Sequence, residues 1–259
     1  MEKMTTTTES LNLAETLLNG QAVETIADFK QWTRERVRPL LPHESLSCGY
    51  GHLHAGGVAL DGVIAVDYPV KHLQDIRNKA GGIDTPILRR WLSTGQPQLF
   101  DPDDPWPDVP ADWLHHFRQN QLQRTVAHAI YDTARCIGTF FSFHRVRDSL
   151  SAWHIERVKQ LVPVMHELLC RVIDHENEAQ RFIASLAALT EREHDIVRWL
   201  GAGKTNAEIA AVAGLSETTV KHHITRIFEK SGMENRAQLI RRLVEHELHV
   251  APGFGTKVI

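Results

Sequence analysis

The chain has 259 residues, 42% of them hydrophobic, and a formal net charge of -3 at pH 7. This composition excludes a wholly disordered chain, and the length allows one large domain or two smaller ones. Because the net charge is slightly negative, any positive charge that binds nucleic acid has to be concentrated on a local surface. No apolar run reaches the roughly 20 residues that cross a bilayer, and three widely spaced cysteines match neither a disulfide framework nor a zinc motif. We therefore expect a cytoplasmic protein without a membrane partner, a metal or a cofactor.

The first two thirds of the chain mix helical and strand patterns. Apolar residues recur at helical spacing in residues 22–41 and predict a helix there. Alternation of apolar and polar residues predicts strands at 45–55 and 58–69 around a Gly56-Gly57 turn. Further along, the patterns favour helices near 69–79 and 84–94, a proline-rich loop, strands at 124–133 and 136–146, and a long helix from 151. This order predicts an α+β fold, with a central antiparallel sheet and helices outside it.

A second domain begins near residue 190. Repeated helix starts follow that point, with Thr190 three residues before Glu193 and Thr205 three residues before Glu208. They predict four short helices at about 191–200, 206–213, 217–230 and 236–247. The domain plan is a flexible leader at 1–20, a sensor or dimerisation domain at 21–175, a linker at 176–189, an all-α domain at 190–249 and a tail at 250–259.

The second and third of these helices are joined by the tight turn "AGLS", in which Ser216 is the expected N-cap. A short helix, a glycine turn and a longer basic helix form the helix-turn-helix arrangement, whose second helix lies in the DNA major groove. The run from "LTERE" through "GKTNAEIA" and "LSETTVKHH" to "KSGMENRAQL" resembles the DNA-binding domain of LuxR/FixJ-type bacterial transcription regulators. The resemblance covers roughly 60 residues and implies a four-helix DNA-binding domain.

Helical geometry divides the recognition helix into two faces. Val220, Ile224, Ile227 and Phe228 are expected to pack against a core formed by Ile196, Leu200, Ile209 and Leu215. The opposite face offers candidates for base contacts, which are Lys221, His222 and Thr225. The candidates for phosphate contacts are Thr205, Ser216, Thr218, Thr219, Arg226 and Lys230. Ordinary solvent exposure is the alternative for each.

The paired histidines of "TVKHH" raise a separate question. Neighbours on a helix point about 100° apart, so a metal site shared by His222 and His223 is not expected. His222 points away from Val220, whereas His223 lies at the edge of the core. In the family pattern His223 occupies the constant histidine position, which favours half-buried packing or a backbone or phosphate contact.

The N-terminal region resembles GAF-like and PAS-like sensory domains in its order of elements. The segments "DYPVKHLQDI" and "GGIDTPIL" also resemble acyl-homoserine-lactone sensors of LuxR-type regulators. Three positions depart from that pattern: His72 replaces an expected Trp, Ile76 an aromatic residue, and Thr85 separates Asp84 from Pro86. A smaller set of LuxR-type regulators associated with exopolysaccharide genes is also similar. Candidates for lining a small-molecule pocket are Tyr50, Tyr68, His72, Trp91 and Phe141; an ordinary aromatic core is the alternative.

These features predict a transcriptional regulator that binds an inverted repeat of double-stranded DNA as a homodimer and contacts RNA polymerase. The N-terminal domain would set its activity by sensing a small molecule or a partner. Two alternatives stay open: a protein-docking or dimerisation module that binds no ligand, and an acyl-homoserine-lactone receptor. The sequence contains no G-x-S-x-G, H-E-x-x-H or phosphate-binding glycine loop, so no catalytic residue is predicted and an enzyme is not expected.

Overall fold

The computed structural model describes residues 20–54, 57–69, 72 and 84–247. The chain divides into two compact units, the first ending at Ile173 and the second beginning at Asp174. Most of the predicted leader, the tail, the turn residue Gly56 and most of the predicted helix near 69–79 lie outside the described residues. Within those residues, no helix is both long enough and apolar enough to cross a membrane.

The first unit contains a five-stranded antiparallel sheet. Its strands are β1 (Ser45–His54), β2 (Gly57–Val66), β3 (Gln98–Phe100), β4 (Thr125–Asp132) and β5 (Ile137–His144), in the order β2-β1-β5-β4-β3. The four longer strands confirm the predicted pairs. The short strand β3 is missing from the prediction because three residues are too few to establish an alternating pattern.

Helices cover both faces of this sheet. Helix α1 comprises Ile26–Trp32, a π-helical segment Thr33–Val37 and a final turn Arg38–Leu40. Helices α2 (Pro86–Thr94), α3 (Ala111–Gln119) and α4 (Ala152–Ala187) follow. Helix α3 lies beyond the proline-rich loop and was not predicted, although Trp113, Leu114 and Phe117 have helical spacing.

Strand alternation separates two hydrophobic cores. Leu46, Phe141 and Phe143 point to one face, where they pack with residues of α1 and α4. On the other face a second core contains Ile87 of α2 and Phe117 of α3. The predicted antiparallel sheet with helices outside it is therefore present in the first unit, as an α-β-α sandwich.

The second unit is all-helical. The end of α4 is followed by α5 (Glu191–Gly201), α6 (Asn206–Ala213), α7 (Glu217–Ser231) and α8 (Arg236–Glu247), which match the four predicted helices to within a residue. The stretch 176–187, expected as a linker, is instead helical and belongs to α4. The boundary was expected there because a new helix-start signal follows at Thr190, but α4 continues to Ala187 and Phe182 is buried in the core of the second unit.

Candidate functional site

Helices α5 and α6 begin with reciprocal caps. Thr190 and Glu193 form a capping box at the start of α5, and Thr205 and Glu208 form another at the start of α6. In the second box the Thr205 backbone N–H donates to Glu208 Oε2 at 2.7 Å, while the Glu208 N–H donates to Thr205 Oγ1 at 3.3 Å. Both predicted boxes are confirmed, and they fix where the two helices start.

The turn between α6 and α7 sets the position of the recognition helix. Gly214 ends α6 in the left-handed conformation with φ of 65°, and its N–H donates to the Ala210 carbonyl. Ser216 is the N-cap of α7, as predicted, because its Oγ accepts from the Thr219 N–H at 3.1 Å. The guanidinium of Arg192 also donates to the Ala213 carbonyl. The helix-turn-helix is thus fixed by backbone conformation and side-chain caps together.

Gly214→Ala is expected to destabilise the second unit by about 1–2 kcal/mol, because a side chain with a Cβ is strained at this φ. A Cβ at Gly214 would meet no atom within 4 Å, so the loss would come from backbone strain alone. Hydrogen exchange of the amides of α6 and α7 in the full chain measures it. The control is Gly201→Ala, whose Cβ would make an ordinary contact at 3.8 Å with Leu243 Cδ1. Equal protection in the two variants would contradict the prediction.

The inner face of α7 packs as predicted. Val220 and Ile227 are fully buried, and Ile224 and Phe228 are partly buried against the same cluster. That cluster contains Ile196, Leu200, Ile209 and Leu215 from the preceding elements. This packing leaves the opposite face of α7 toward solvent.

All nine predicted DNA-contacting residues are exposed. Lys221, His222 and Thr225 lie on the outer face of α7, and the Thr225 hydroxyl donates to the Lys221 carbonyl at 3.1 Å. The hydroxyls of Ser216 and Thr219 lie 2.9 Å apart at the N-terminus of α7. Since backbone N–H groups and hydroxyls at helix N-termini bind phosphate oxygens, the arrangement suits a nucleic-acid backbone.

The two adjacent histidines have different environments. His222 is exposed, whereas His223 is half-buried, and its Nδ1 is a buried nitrogen with no hydrogen-bond partner among the described residues. The expected separation by helix geometry is therefore observed. Base contact by His222 stays a prediction.

Lys230 has an unexpected partner. Its Nζ donates to Glu193 Oε2 at 2.6 Å, and the same oxygen accepts from the Thr190 N–H at 2.8 Å. Burial raises the pKa of Glu193, but the hydrogen bonds from Lys230 and Thr190 outweigh burial and lower this pKa to about 2. The ion pair joins α7 to the start of α5, so Lys230 has a structural role beside its predicted phosphate contact.

The first unit contains a partly open cavity of about 270 Å³ between the sheet and the helices α2 and α3. Its walls are largely apolar and include Leu88, Trp113, Phe117 and Phe140. Gly49, Gly51, Ala129 and Gly138 are small residues on the strands that line it. Because they occupy little volume, space remains above the sheet.

One part of the lining is polar. Tyr68 forms a hydrogen bond with Ser47, and Ser47 Oγ lies 3.4 Å from His144 Nε2. The other ring nitrogen of His144 lies 2.9 Å from Thr125 Oγ1, whose hydroxyl donates to the Gln123 carbonyl. Burial lowers the pKa of His144 far below its usual value, and the imidazole is neutral at pH 7. With Nδ1–H donating to Thr125, Nε2 is an acceptor toward Ser47.

Three of the five predicted lining residues, Tyr68, His72 and Trp91, do line the cavity. Tyr50 and Phe141 do not, because strand alternation turns both toward α1 and α4 on the opposite face. Phe141 is fully buried in that core, while its neighbours Phe140 and Ser142 face the cavity. Three further lining residues were not predicted, namely Ser47, Ser142 and His144. The alternation along β1 and β5 could have indicated them.

Comparisons with known proteins agree with this division. Residues 187–243 match the model of the luxR family of bacterial regulatory proteins. The transcriptional activator protein YukR of Yersinia ruckeri is 45% identical over 60 residues, which are 23% of this chain and 26% of that protein. The transcriptional activator protein PhzR of Pseudomonas fluorescens is 24% identical over 67% of this chain and 70% of its own length. The chain thus spans about a quarter of YukR.

A solved structure resembles part of this chain. An N-acylhomoserine-lactone-dependent LuxR-family transcription factor of Burkholderia cenocepacia, CepR2, superposes with a TM-score of 0.50 at 15% identity. The match covers 64% of this chain and 97% of that chain, and it shows a shared fold. The helix-turn-helix unit of this chain belongs to the LuxR family of bacterial regulatory proteins.

Proposed function

We propose that this protein is a sequence-specific DNA-binding transcriptional regulator. The observation that carries the proposal is the exposed face of α7, where Lys221, His222 and Thr225 project from a helix that its inner face and two caps fix in place. Lysine reaches guanine O6 and N7, and threonine offers a hydroxyl or touches a thymine methyl. Genome-wide sequencing of bound sites tests this function, and a set of sites without a shared motif would contradict it.

The regulator would act as a homodimer on an inverted repeat. LuxR-type regulators bind DNA and are often dimers, and two-fold symmetry places recognition helices in successive major grooves about 34 Å apart. Helix α8 offers a surface for such an interface: Leu239 is buried inside its own unit, whereas Val244 is 51% exposed. Contact with RNA polymerase is part of the same proposal, since transcription has to respond to binding.

We further propose that the cavity of the first unit holds the signal, a small molecule with an apolar body and one polar group. Its volume is near the lower end for small-molecule sites, which combine apolar walls with a few polar groups. Ser47, Tyr68 and His144 would bind the polar group by hydrogen bonds. The proposal includes an acyl-homoserine lactone among the candidate ligands, while a docking module with no ligand is the competing function.

Ser47→Ala and Tyr68→Phe are expected to weaken binding of any ligand found by native mass spectrometry or thermal-shift screening about 3- to 10-fold, the value of one hydrogen bond. Ser45→Ala is the matched control, because Ser45 is buried in the same strand and its Oγ has no partner among the described residues. Equal affinity in all three variants would place the ligand elsewhere. If the wild-type protein retains no ligand and shows no thermal shift in the screen, a docking module is favoured.

A further inference from the structure

Three side chains with metal-binding groups meet where β4 ends beside α4. Asp132, His166 and Glu167 each offer a ligand atom, and these atoms all lie within 4.8 Å of one another. Asp132 comes from the strand, while the other two are neighbours on the helix. Adjacent side chains on a helix leave it in different directions. The longer side chain of Glu167 nevertheless brings its carboxylate toward Asp132.

The imidazole of His166 is held in place before any ligand binds. His166 is 3% exposed, and its Nδ1 lies 2.7 Å from Thr139 Oγ1 on β5. Ligating histidines commonly donate their second ring N–H to such a partner, which fixes the tautomer and the ring orientation. If Nδ1 donates to Thr139, the lone pair is on Nε2, which also lies 3.8 Å from Cys170 Sγ.

The Asp132 carboxylate is also oriented by its surroundings. Its Oδ1 accepts from the Ala134 N–H at 2.8 Å and from the Arg135 N–H at 3.1 Å, within the turn between β4 and β5. The second oxygen, Oδ2, lies 3.6 Å from the guanidinium of Arg135. Since the turn engages Oδ1, Oδ2 is the oxygen that can bind a cation.

Arg135 supplies positive charge to this cluster. Its Nη1 lies 3.0 Å from Glu167 Oε2, and its side chain is 46% exposed. Two carboxylates and one guanidinium leave a net negative charge beside the imidazole of His166. A divalent cation would therefore compete with Arg135 for the same carboxylate oxygens, and the exposed arginine can swing into solvent.

We propose that Asp132, His166 and Glu167 form a binding site for a divalent transition metal ion, with Zn²⁺ as the ion that best fits one imidazole and two carboxylates. Imidazole favours Zn²⁺ and its neighbours over Mg²⁺ and Ca²⁺, which take oxygen ligands. Three protein ligands leave a fourth position for water or another molecule. The exposed Glu167 gives the ion access to the buried histidine.

Competition between untagged full-length protein and a chromophoric zinc chelator tests the site, because the imidazoles of a polyhistidine tag would themselves bind Zn²⁺. In the wild-type protein, one Zn²⁺ per chain is expected to bind at this site, more tightly than Zn²⁺ binds to any other group of the chain. Glu167→Gln and Asp132→Asn should each weaken that binding about 10- to 100-fold, the loss seen when groups that support a metal site are removed. Glu167 is exposed, so Glu167→Gln tests the site without changing a buried side chain.

Two further variants separate a metal site from a structural cluster. Arg135→Ala should tighten Zn²⁺ binding several-fold, because it removes a cation that competes for both carboxylates. Glu156→Gln, which alters another exposed carboxylate of α4, should leave the affinity unchanged. Two results would overturn the proposal. One is equal zinc affinity in the wild type and in Glu167→Gln, and the other is weaker zinc binding in Arg135→Ala than in the wild type.

Discussion

Lys221→Ala is expected to cost about 1–3 kcal/mol of binding free energy on the preferred DNA site, because a lysine at this position can contact guanine O6 and N7. Lys221 is exposed on the outer face of α7, so its removal leaves the packed inner face intact. Binding to unrelated DNA should fall far less. Fluorescence anisotropy with a site recovered by selection from random duplexes, alongside a scrambled duplex, measures both losses.

Arg226→Ala is the matched comparison on the same helix. Arg226 is exposed and is a predicted phosphate contact, so its loss should weaken binding to all duplexes alike. The slope of log K against log salt concentration should also become shallower by about one, because one fewer counterion is released. Lys221→Ala should instead change the ratio between the selected and scrambled sites. Equal losses from both substitutions on every duplex would show that Lys221 does not read bases.

Lys230→Met is expected to destabilise the second unit by about 1–3 kcal/mol, because it leaves the buried Glu193 carboxylate without its cationic partner. The Glu193 side chain is 4% exposed and that of Lys230 is 37% exposed. Hydrogen exchange of the amides in residues 190–247 of the full chain measures the loss. Lys221→Met is the control, since an exposed position on the same helix should change stability by less than about 0.5 kcal/mol.

The same ion pair predicts a pH dependence. The pKa of Glu193 is lowered from 4.5 to about 2 in the folded protein. The ionised Glu193 carboxylate therefore contributes its full stabilisation above pH 4.5, and this contribution is lost as the pH falls toward about 2. Between pH 4.5 and about pH 2, amide protection should decline less steeply in Glu193→Gln than in the wild type. A decline as steep as that of the wild type would contradict this role for Glu193.

Lys230 also changes how a DNA-binding experiment has to be interpreted. The sequence predicts a phosphate contact, and that role stays a prediction. Because its ammonium group pairs with Glu193 at 2.6 Å, a variant would lose helix packing together with any phosphate contact. Arg226 is therefore the cleaner probe of the phosphate backbone.

The sequence predicted the second unit closely because its determinants are local. The caps Thr190, Thr205 and Ser216 and the glycine turn at Gly214 each act within four residues of themselves. Apolar spacing along α7 then fixed which side of the helix is buried. The family motif spans the same segment, so local chemistry and resemblance gave the same four helices.

The first unit was harder because its site depends on register and on distant pairing. Tyr50 and Phe141 were expected near a ligand as aromatic strand residues, yet the pairing of β1 with β5 turns them to the core beneath the sheet. Helix α3 was missed behind a proline-rich stretch. Composition identifies aromatic residues, whereas only the register assigns them to a face.

The sequence by itself determined the helix-turn-helix, its caps and its outward-facing residues, because these follow from spacing within single helices. Only the tertiary structure decided which side chains enclose the cavity, which acid pairs with Lys230, and that Asp132 meets His166. Each of these joins residues that lie far apart in the chain, and no local pattern specifies such a contact. They depend on strand register and helix packing, which the chain settles as a whole.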